Sequence, residues 1–288
     1  MSALYSGYGP PTPTTYGSIG DTYIDLSNCI AYKCVSVDGA VTDYGFIDIH
    51  EGRSKAYNWV EGYKMLMIQT VEATTEDDAR DALVFAATHP GSFVNITLAE
   101  GLNVTLPNVA IRNSTVYIIG TSADGVNTNT VAFEQTADTH NVVLQNTSMS
   151  IQNVNLLGSH VASHVTAGYG IVRAHLGSSL YCSGVTFGQT ENSGLFGSNI
   201  EAMSNSKIYA TDCVFCVQST KTNASAVHLT ANSEATTYNC SIADDSAAPN
   251  LARVEKGSSF NQIGTNIPVY LPDGHASLCY VDGVLTTA

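Results

Sequence analysis

The chain has 288 residues, of which 44% are hydrophobic and only 12% are charged, and its formal net charge is −14. This acidic balance argues against binding to nucleic-acid phosphate, for which basic patches supply most of the affinity. No run of residues approaches the ~18 apolar positions of a membrane helix. The first residues also lack the basic and apolar parts of a signal peptide. The sequence therefore predicts a protein made in a reducing cytoplasm, without membrane insertion.

Residues 1–20 predict an extended N-terminal arm, because closely spaced prolines and glycines favour an open backbone that has no core of its own. Tyrosines are frequent here. Their rings offer large contact areas with a polar tip, which suits docking on a partner surface. The candidate docking residues are Tyr5, Tyr8, Tyr16 and, just beyond the arm, Tyr23.

Residues 21–72 predict a small β-module, since short runs of alternating apolar and polar residues are separated by turn sequences such as Asp38-Gly39. Residues 73–91 predict a capping helix. Thr75 supplies an N-cap, and apolar side chains at positions 79, 82, 83 and 86 form one helical face. We expect a helix over 75–89 that covers the open end of the repeats that follow.

One short motif is written six times after this helix: a small polar pair, alternating apolar positions, a turn residue, and two further apolar positions. The copies begin at Asn113, Asn146, Gly177, Asn205, Asn232 and Gly257, with steps of 33, 31, 28, 27 and 25 residues. A repeat of this length indicates a solenoid or a propeller.

The strand-like alternation excludes helical repeats, and the step is shorter than the ~40–45 residues of a propeller blade. Residues 92–266 therefore predict a parallel β-helix whose rungs stack ~4.8 Å apart. One repeated slot predicts a tight bend, filled by residue types that tolerate left-handed backbone: Asn153, Gly184, Asp212, Asn239 and Gly264. Each copy is followed by a second strand, such as 200–203 or 226–229. The longer early steps predict excursions at 123–125 and 160–170.

Two further features concern the cysteines within the repeats and the segment that follows them. Cys213 and Cys240 occupy one core-facing slot in neighbouring copies, where they serve as small hydrophobes or, after oxidation, as a disulfide. Residues 267–288 leave the motif and predict a small C-terminal β cap or trimer contact, with short strands at 276–281 and 284–287.

These repeats behind a short helix resemble the right-handed parallel β-helix of pectate-lyase-like proteins and phage tail spikes. The strand at 20–25, after a Pro- and Gly-rich arm, resembles small attachment modules of bacteriophage fibre and spike proteins. The resemblance implies an all-β fold of this kind, a homotrimer, and contacts with other virion proteins through the N-terminal arm.

An enzyme that cleaves polysaccharide on such a fold needs two acidic side chains about 5–9 Å apart. Between 139 and 190 there is no Asp or Glu. Outside that stretch Glu134, Asp138 and Glu191 are available, and Asp212 is already a turn residue. If the protein is an enzyme, the candidates are Glu201, Glu234, Asp244 and Asp245.

His160 and His164 are weak candidates for a metal site. Their spacing suits metal binding only on a helix, and they lie in a segment rich in small residues. We therefore expect surface histidines and no cofactor.

Two functions remain open. The first is a non-catalytic virion protein, a trimeric spike, fibre or capsid decoration that is anchored by its N-terminal region and contacts the host surface. The second is a tail-spike depolymerase, a glycosidase or lyase acting on host surface polysaccharide. The low charge and the carboxylate-free middle favour the first.

Overall fold

The computed structural model describes residues 4–12, 15–25, 27, 30–38, 56–64, 67–135, 140–159, 170–189, 198–217, 224–247, 250–255, 257–265, 267–272 and 277–286. The chain divides into two compact units. One comprises Met1–Met67 with His89–Gly91, and the other comprises Ile68–Thr88 with Ser92–Ala288.

The first unit contains a four-stranded sheet in the order β1-β2-β3-β4. Its strands are β1 (Leu4–Gly7), β2 (Thr22–Asp25), β3 (Ile30–Asp38) and β4 (Ala56–Lys64). The β1–β2 pair is parallel and the other two pairs are antiparallel. Strands β2 to β4 lie within the predicted β-module. Strand β1 lies in the segment for which the sequence predicts an extended arm, and it is extended there and paired with β2.

A buried carboxylate explains why the start of the arm joins this sheet. Asp25 is fully buried and accepts hydrogen bonds from the backbone N–H of Gly9 at 2.8 Å and the hydroxyl of Ser27 at 2.6 Å. A buried charge requires such donors, and the arm supplies one of them. The Tyr23 hydroxyl also donates to the Gly9 carbonyl at 3.3 Å. Tyr23 and Asp25 thus fix the arm to the sheet through hydrogen bonds to the backbone of Gly9.

The second unit consists of one helix and many short strands. In chain order these are β5 (Ile68–Ala73), α1 (Glu76–Thr88), β6 (Phe93–Leu98), β7 (Asn103–Leu106), β8 (Val109–Arg112), β9 (Thr115–Ile119), β10 (Ser122–Ala123), β11 (Val126–Asn127), β12 (Asn129–Phe133), β13 (Val142–Gln145), β14 (Ser148–Gln152), β15 (Val154–Gly158), β16 (Val172–His175), β17 (Ser179–Ser183), β18 (Thr186–Gln189), β19 (Ile200–Ala202), β20 (Lys207–Thr211), β21 (Val214–Phe215), β22 (Ser225–Leu229), β23 (Glu234–Tyr238), β24 (Ser241–Ile242), β25 (Asn250–Val254), β26 (Ser259–Ile263), β27 (Val269–Tyr270), β28 (Leu278–Val281) and β29 (Val284–Thr286).

Three long sheets account for nearly all of these strands. The ten-stranded sheet has the order β29-β28-β26-β23-β20-β17-β14-β9-β6-β5, the six-stranded sheet β24-β21-β18-β15-β12-β7, and the seven-stranded sheet β27-β25-β22-β19-β16-β13-β8. The chain enters them in the order ten, six, seven, and repeats this circuit from β6 to β25. Neighbouring strands are parallel except in the β28–β29 pair. The fold is mostly β with long parallel sheets, which is compatible with a parallel β-helix.

The inner faces of the sheets form columns of apolar side chains. Val116, Met149, Leu180 and Ile208 are partners in consecutive strands of the ten-stranded sheet, and all are fully buried. In the six-stranded sheet the Phe187 ring stacks on that of its register partner Phe215, with centroids 4.8 Å apart. The alternating apolar positions of the motif therefore become one continuous core.

The repeated bend has the left-handed backbone that the sequence predicts. Its φ values lie between 51° and 75° at Asn153, Gly184, Asp212, Asn239 and Gly264. A second left-handed position, which the sequence analysis does not anticipate, is the first residue of every motif copy. There φ lies between 49° and 76° at Asn113, Asn146, Gly177, Asn205, Asn232 and Gly257. These positions need Asn, Asp or Gly because other side chains strain such backbone.

The second residue of each motif copy forms a ladder of buried hydroxyl groups. The series is Ser114, Thr147, Ser178, Ser206, Ser233 and Ser258. The backbone N–H of each of the first five donates to the hydroxyl of the next residue in the series, at 3.1–3.4 Å. All six residues are buried. The ladder satisfies backbone donors at the corner between two sheets, and it explains why a small hydroxyl residue recurs there.

The predicted helix is present and begins as expected. Helix α1 spans Glu76–Thr88, and its buried residues are those of the predicted face, namely Ala79, Ala82, Leu83 and Ala86. The Asp78 backbone N–H donates to the Thr75 hydroxyl at 3.2 Å, while Asp78 Oδ2 accepts from the Thr75 N–H at 3.0 Å. The helix packs on β5 and on β6, β7 and β8, the strands of the first circuit, where a cap over the open end would lie.

Two segments outside the regular circuit have clear outcomes. The predicted excursion at 123–125 forms the β10–β11 hairpin, whereas 160–169 lies outside the described residues. In the C-terminal segment the two predicted short strands are present as β28 and β29. The segment continues the sheets, because β27 pairs in parallel with β25, and β28 with β26. Only β29 departs from the pattern, by turning back antiparallel to β28.

The hydroxyl ladder predicts a specific loss of stability. Ser178→Ala removes the acceptor for the Thr147 N–H and the hydroxyl that donates to the His175 carbonyl at 2.6 Å. We expect a loss of about 1–3 kcal/mol in the free energy of unfolding, the usual cost of an unsatisfied buried group. Urea titration measures it. Ser179→Ala, at the adjacent half-buried position, should change stability by no more than about 0.5 kcal/mol. Equal losses in both variants would rule out the ladder as the cause.

Candidate functional site

A column of polar side chains crosses the seven-stranded sheet. Arg173, Glu201, His228, Arg253 and Tyr270 are successive register partners on β16, β19, β22, β25 and β27. Because in-register parallel strands place equivalent residues side by side, Glu201 lies between Arg173 and His228, and His228 lies beside Arg253. We call the four charged or titratable residues of the column, Arg173, Glu201, His228 and Arg253, together with His140 and Glu255 from outside it, the charged cluster.

Glu201 is the centre of the charged cluster. Its Oε2 lies 2.6 Å from Nε of Arg173 and 2.7 Å from Nε2 of His140. Its Oε1 lies 3.3 Å from Nδ1 of His228. The Glu201 side chain is only 4% exposed and that of His140 is 0% exposed. Both oxygens of this carboxylate therefore face donors inside the protein.

A second carboxylate lies on the other side of His228. Glu255 Oε1 is 2.6 Å from His228 Nε2 and 3.5 Å from Arg253 Nε. The Arg253 guanidinium lies 6.0 Å from the centre of the Tyr270 ring, at the edge of cation–π range. Since each ring nitrogen of His228 faces a carboxylate, both contacts are hydrogen bonds to ionised carboxylates only when His228 is protonated.

The environment fixes the charge states of Glu201 and His140. Burial alone would raise the pKa of Glu201, but hydrogen bonds from His140 and His228, together with the Arg173 charge, hold that pKa well below its ordinary value. Burial lowers the pKa of His140, and this outweighs the opposing effect of Glu201. At neutral pH, His140 is therefore a neutral imidazole whose Nε2 lies 2.7 Å from the ionised Glu201 carboxylate.

This arrangement does not favour acid–base chemistry at Glu201. A general acid needs access to substrate and a pKa near the working pH. Glu201 has neither, since it is buried, ionised and surrounded by three donors. Buried charges that are fully paired in this way are typical of structural networks, in which removal of one partner is costly.

The other predicted acidic residues lie elsewhere. Glu234 is exposed on the ten-stranded sheet, where its Oε2 lies 3.2 Å from Lys207 Nζ. Asp244 and Asp245 form a turn after β24, and Asp245 Oδ1 accepts a long hydrogen bond from Cys216 Sγ at 3.6 Å. Glu201 and Glu234 lie on different sheets, and none of the contacts of Glu201 is with another predicted acid.

A shallow cavity lies beside Glu234 on the ten-stranded sheet. It has a volume of about 360 Å³ and is lined by Glu234, Ala235, Thr236, Ser259, Phe260, Asn261, Tyr280 and Gly283. Nearer the middle of the same sheet, the exposed rings of Tyr181 and Tyr209 stack on each other with centroids 5.1 Å apart. Each therefore covers one face of its neighbour, which reduces the ring area available to a ligand.

The predicted docking tyrosines differ in exposure. Tyr8 is 86% exposed and Tyr16 is 47% exposed. Tyr5 packs edge-to-face against Tyr16, with ring centroids 6.1 Å apart. Tyr23 is half-buried and bonded to the arm through Gly9. Tyr8 and Tyr16 are thus the more exposed of the four candidates, and Tyr16 also packs against Tyr5.

The metal and disulfide hypotheses have limited support. His160 and His164 lie outside the described residues. Within the part of the chain that the structure describes, no group of three or more His, Cys, Asp or Glu side chains is arranged to hold a metal ion. Cys213 and Cys240 are buried thiols, whose Sγ atoms donate to the carbonyls of Thr211 at 3.3 Å and Ala210 at 3.5 Å.

The sequence analysis identified one member of the charged cluster, Glu201, and missed five. A signal for the column was present. Arg173, Glu201, His228 and Arg253 are separated by 28, 27 and 25 residues, which are also the last three steps between motif copies. A search for polar residues that recur at the motif spacing finds this column. His140 and Glu255 lie outside the repeated slot and carry no such signal.

No protein-family model matches the chain, and no curated protein or solved structure matches it either. Among the described residues, no helix has the length and apolar character needed to cross a membrane.

The charged cluster predicts that one carboxylate matters far more for stability than another. Glu201→Gln removes the central charge and turns an amide N–H toward groups that are themselves donors. We expect the free energy of unfolding to fall by about 3–5 kcal/mol, as for other broken buried ion pairs. The matched control is Glu234→Gln, which affects only an exposed pair with Lys207 and should leave the urea midpoint nearly unchanged. A Glu201→Gln protein as stable as the wild type would contradict a structural role for the cluster.

Proposed function

We propose that the chain is a non-catalytic structural protein of a bacteriophage virion, built as a right-handed parallel β-helix and assembled as a homotrimer. Its N-terminal region anchors it to other virion proteins, as a spike, fibre or capsid decoration, and its outer face is available to the host surface. The function needs no cofactor.

The observation that carries this proposal is that the inward-facing and corner slots of the repeat have structural tasks. Inner positions form the core, the left-handed positions make corners, and the hydroxyl ladder joins successive circuits. In the recurrent charged slot, the buried Glu201 carboxylate contacts Arg173 and His228 of the neighbouring strands. A repeat whose inner and corner positions serve the stacking of circuits supports a scaffold.

The handedness follows from a general rule of chain topology, and the trimer from the resemblance to known proteins. Crossover connections between parallel strands of one sheet are right-handed in nearly all proteins, and each circuit of this chain is such a connection. The trimer follows from the resemblance to phage spikes and fibres. Anchoring through the first unit is supported by the exposed rings of Tyr8 and Tyr16, because aromatic side chains are enriched in protein interfaces.

One observation favours a second candidate, a polysaccharide depolymerase. The cavity beside Glu234 combines an exposed carboxylate with hydroxyl, amide and phenol groups from Thr236, Asn261 and Tyr280. Such groups suit hydrogen bonding to a sugar. Hydrolysis with two carboxylates needs a second acid nearby, and the described lining of this cavity holds only Glu234.

One sample of purified protein tests the proposal with two measurements. Light scattering should give three times the chain mass of 30.4 kDa. Incubation with bacterial capsule and O-antigen polysaccharides should release no reducing ends or unsaturated sugars above a protein-free blank. A monomeric mass would remove the trimer. Turnover that Glu234→Gln abolishes and Asp244→Asn retains would establish the depolymerase instead.

A further inference from the structure

Three exposed tyrosines lie on the outer face of the ten-stranded sheet. Tyr181 is 43% exposed, Tyr209 is 38% exposed and Tyr238 is 52% exposed. They belong to β17, β20 and β23, which are neighbouring strands. Among the described residues of the six-stranded sheet, no large hydrophobic side chain is exposed. Exposed apolar patches mark sites of contact with other molecules, and the ten-stranded sheet has such a patch.

The central outer column of the ten-stranded sheet carries no charge. Its register partners from β5 to β28 are Thr70, Asn95, Tyr117, Ser150, Tyr181, Tyr209, Thr236, Asn261 and Tyr280. Within these strands, the outer columns on either side add only Glu72, Lys207 and Glu234, and the last two pair at 3.2 Å. This face is therefore almost uncharged, although the chain has a net charge of −14.

We propose that the outer face of the ten-stranded sheet is the surface through which copies of this chain meet in the homotrimer. This assignment rests on the homotrimer proposed above and names the surface that forms it. The stack of each copy lies along the threefold axis. The ten-stranded sheet faces the axis, and the other two sheets face outward, where they remain available to the host surface.

A threefold axis parallel to the stack places a strict requirement on the surface that faces it. Each residue of a column meets its own equivalents from the other two copies at the same level. Three equal charges at one level repel one another, whereas uncharged side chains can pack. The central column meets this requirement in every strand from β5 to β28. The seven-stranded sheet does not, because Arg173 and Arg253 are partly exposed there.

The six-stranded sheet has uncharged outer columns as well, so charge alone does not select the surface. The exposed tyrosines and the size of the ten-stranded sheet do. Its ten strands span nine steps of ~4.8 Å, and about five residues per strand give a width of ~16 Å, so the face covers ~700 Å². A standard protein interface buries ~800 Å² on each partner. The face therefore provides contact of nearly this size for each copy.

The arrangement of the tyrosine rings suits a protein partner. The rings of Tyr181 and Tyr209 are almost parallel, with an interplanar angle of 9° and centroids 5.1 Å apart. A ligand that binds by stacking on an aromatic face finds only one free face on each ring. The ring edges and hydroxyl groups remain available, and tyrosine is enriched in protein interfaces because it combines apolar area with a polar tip.

Two charge insertions in the same circuit test the surface. Tyr181→Glu places three carboxylates at one level of the axis, so light scattering should show a threefold lower mass than for the wild type at the same protein concentration. Thr186→Glu adds the same charge on the next strand of the circuit, at an exposed position of the six-stranded sheet, and should remain a trimer. Tyr238→Glu alters the most exposed of the three tyrosines. It should dissociate like Tyr181→Glu, and it replaces that variant if Tyr181→Glu does not fold.

The results separate the surface from the trimer itself. A wild-type mass other than three chains would overturn both. A trimeric wild type whose folded Tyr181→Glu and Tyr238→Glu variants also remain trimers would overturn only the surface. Loss of bacterial polysaccharide binding in these variants, with the trimer intact, would assign the face to a glycan and overturn the surface in the same way.

Hydroxyl-radical labelling of the wild-type protein, read by mass spectrometry, provides a second test that needs no variant. Since Tyr8 is 86% exposed and Tyr181 is 43% exposed, an isolated chain should label Tyr181 about twofold more slowly than Tyr8. Burial in the core of an interface should make Tyr181 and Tyr209 at least about tenfold slower than Tyr8. A ratio near two in a three-chain assembly would show that the tyrosines stay exposed, and would overturn the proposal.

Discussion

In-register parallel pairing is the constraint on which the second unit depends. Each circuit of the chain adds one strand to each of three sheets, so a position of the repeat becomes a column along a sheet. All residues of one column therefore share the same environment, either buried in the core or exposed to solvent. One slip of register would move every apolar side chain to the wrong face, which is why the inner columns at Met149 and Leu180 are so uniformly apolar.

The corners and the outer faces satisfy this constraint in different ways. At the corners, Asn, Asp or Gly residues adopt the left-handed backbone. A serine or threonine hydroxyl there accepts a hydrogen bond from a backbone N–H group of the neighbouring circuit. On the seven-stranded sheet one slot is charged, and in-register stacking would bring like charges together. Two carboxylates reduce this repulsion: Glu201 lies between Arg173 and His228 in the column, and Glu255, beside the column, lies close to His228 and Arg253.

Most of the fold could be predicted from the sequence because local signals and repetition agree. The repeated motif predicts parallel strands and the left-handed bends. The N-cap Thr75 and the apolar face that includes Leu83 predict the helix. The pairing of β1 with β2 could not be predicted, since it depends on buried Asp25 meeting the Gly9 backbone. The charged column was readable from its spacing. His140 was not, because only folding brings it to Glu201 from the segment before β13, two strands away from β19.

The central claim is that the charged cluster stabilises the stack as one interacting unit. A double-mutant cycle on Arg173→Met and Glu201→Gln, followed by urea unfolding at pH 7.5, measures that interaction directly. We expect a coupling free energy of at least about 1 kcal/mol, because both residues share one buried contact at 2.6 Å. Losses that add within about 0.5 kcal/mol would mean that the two side chains act independently, and would contradict the account.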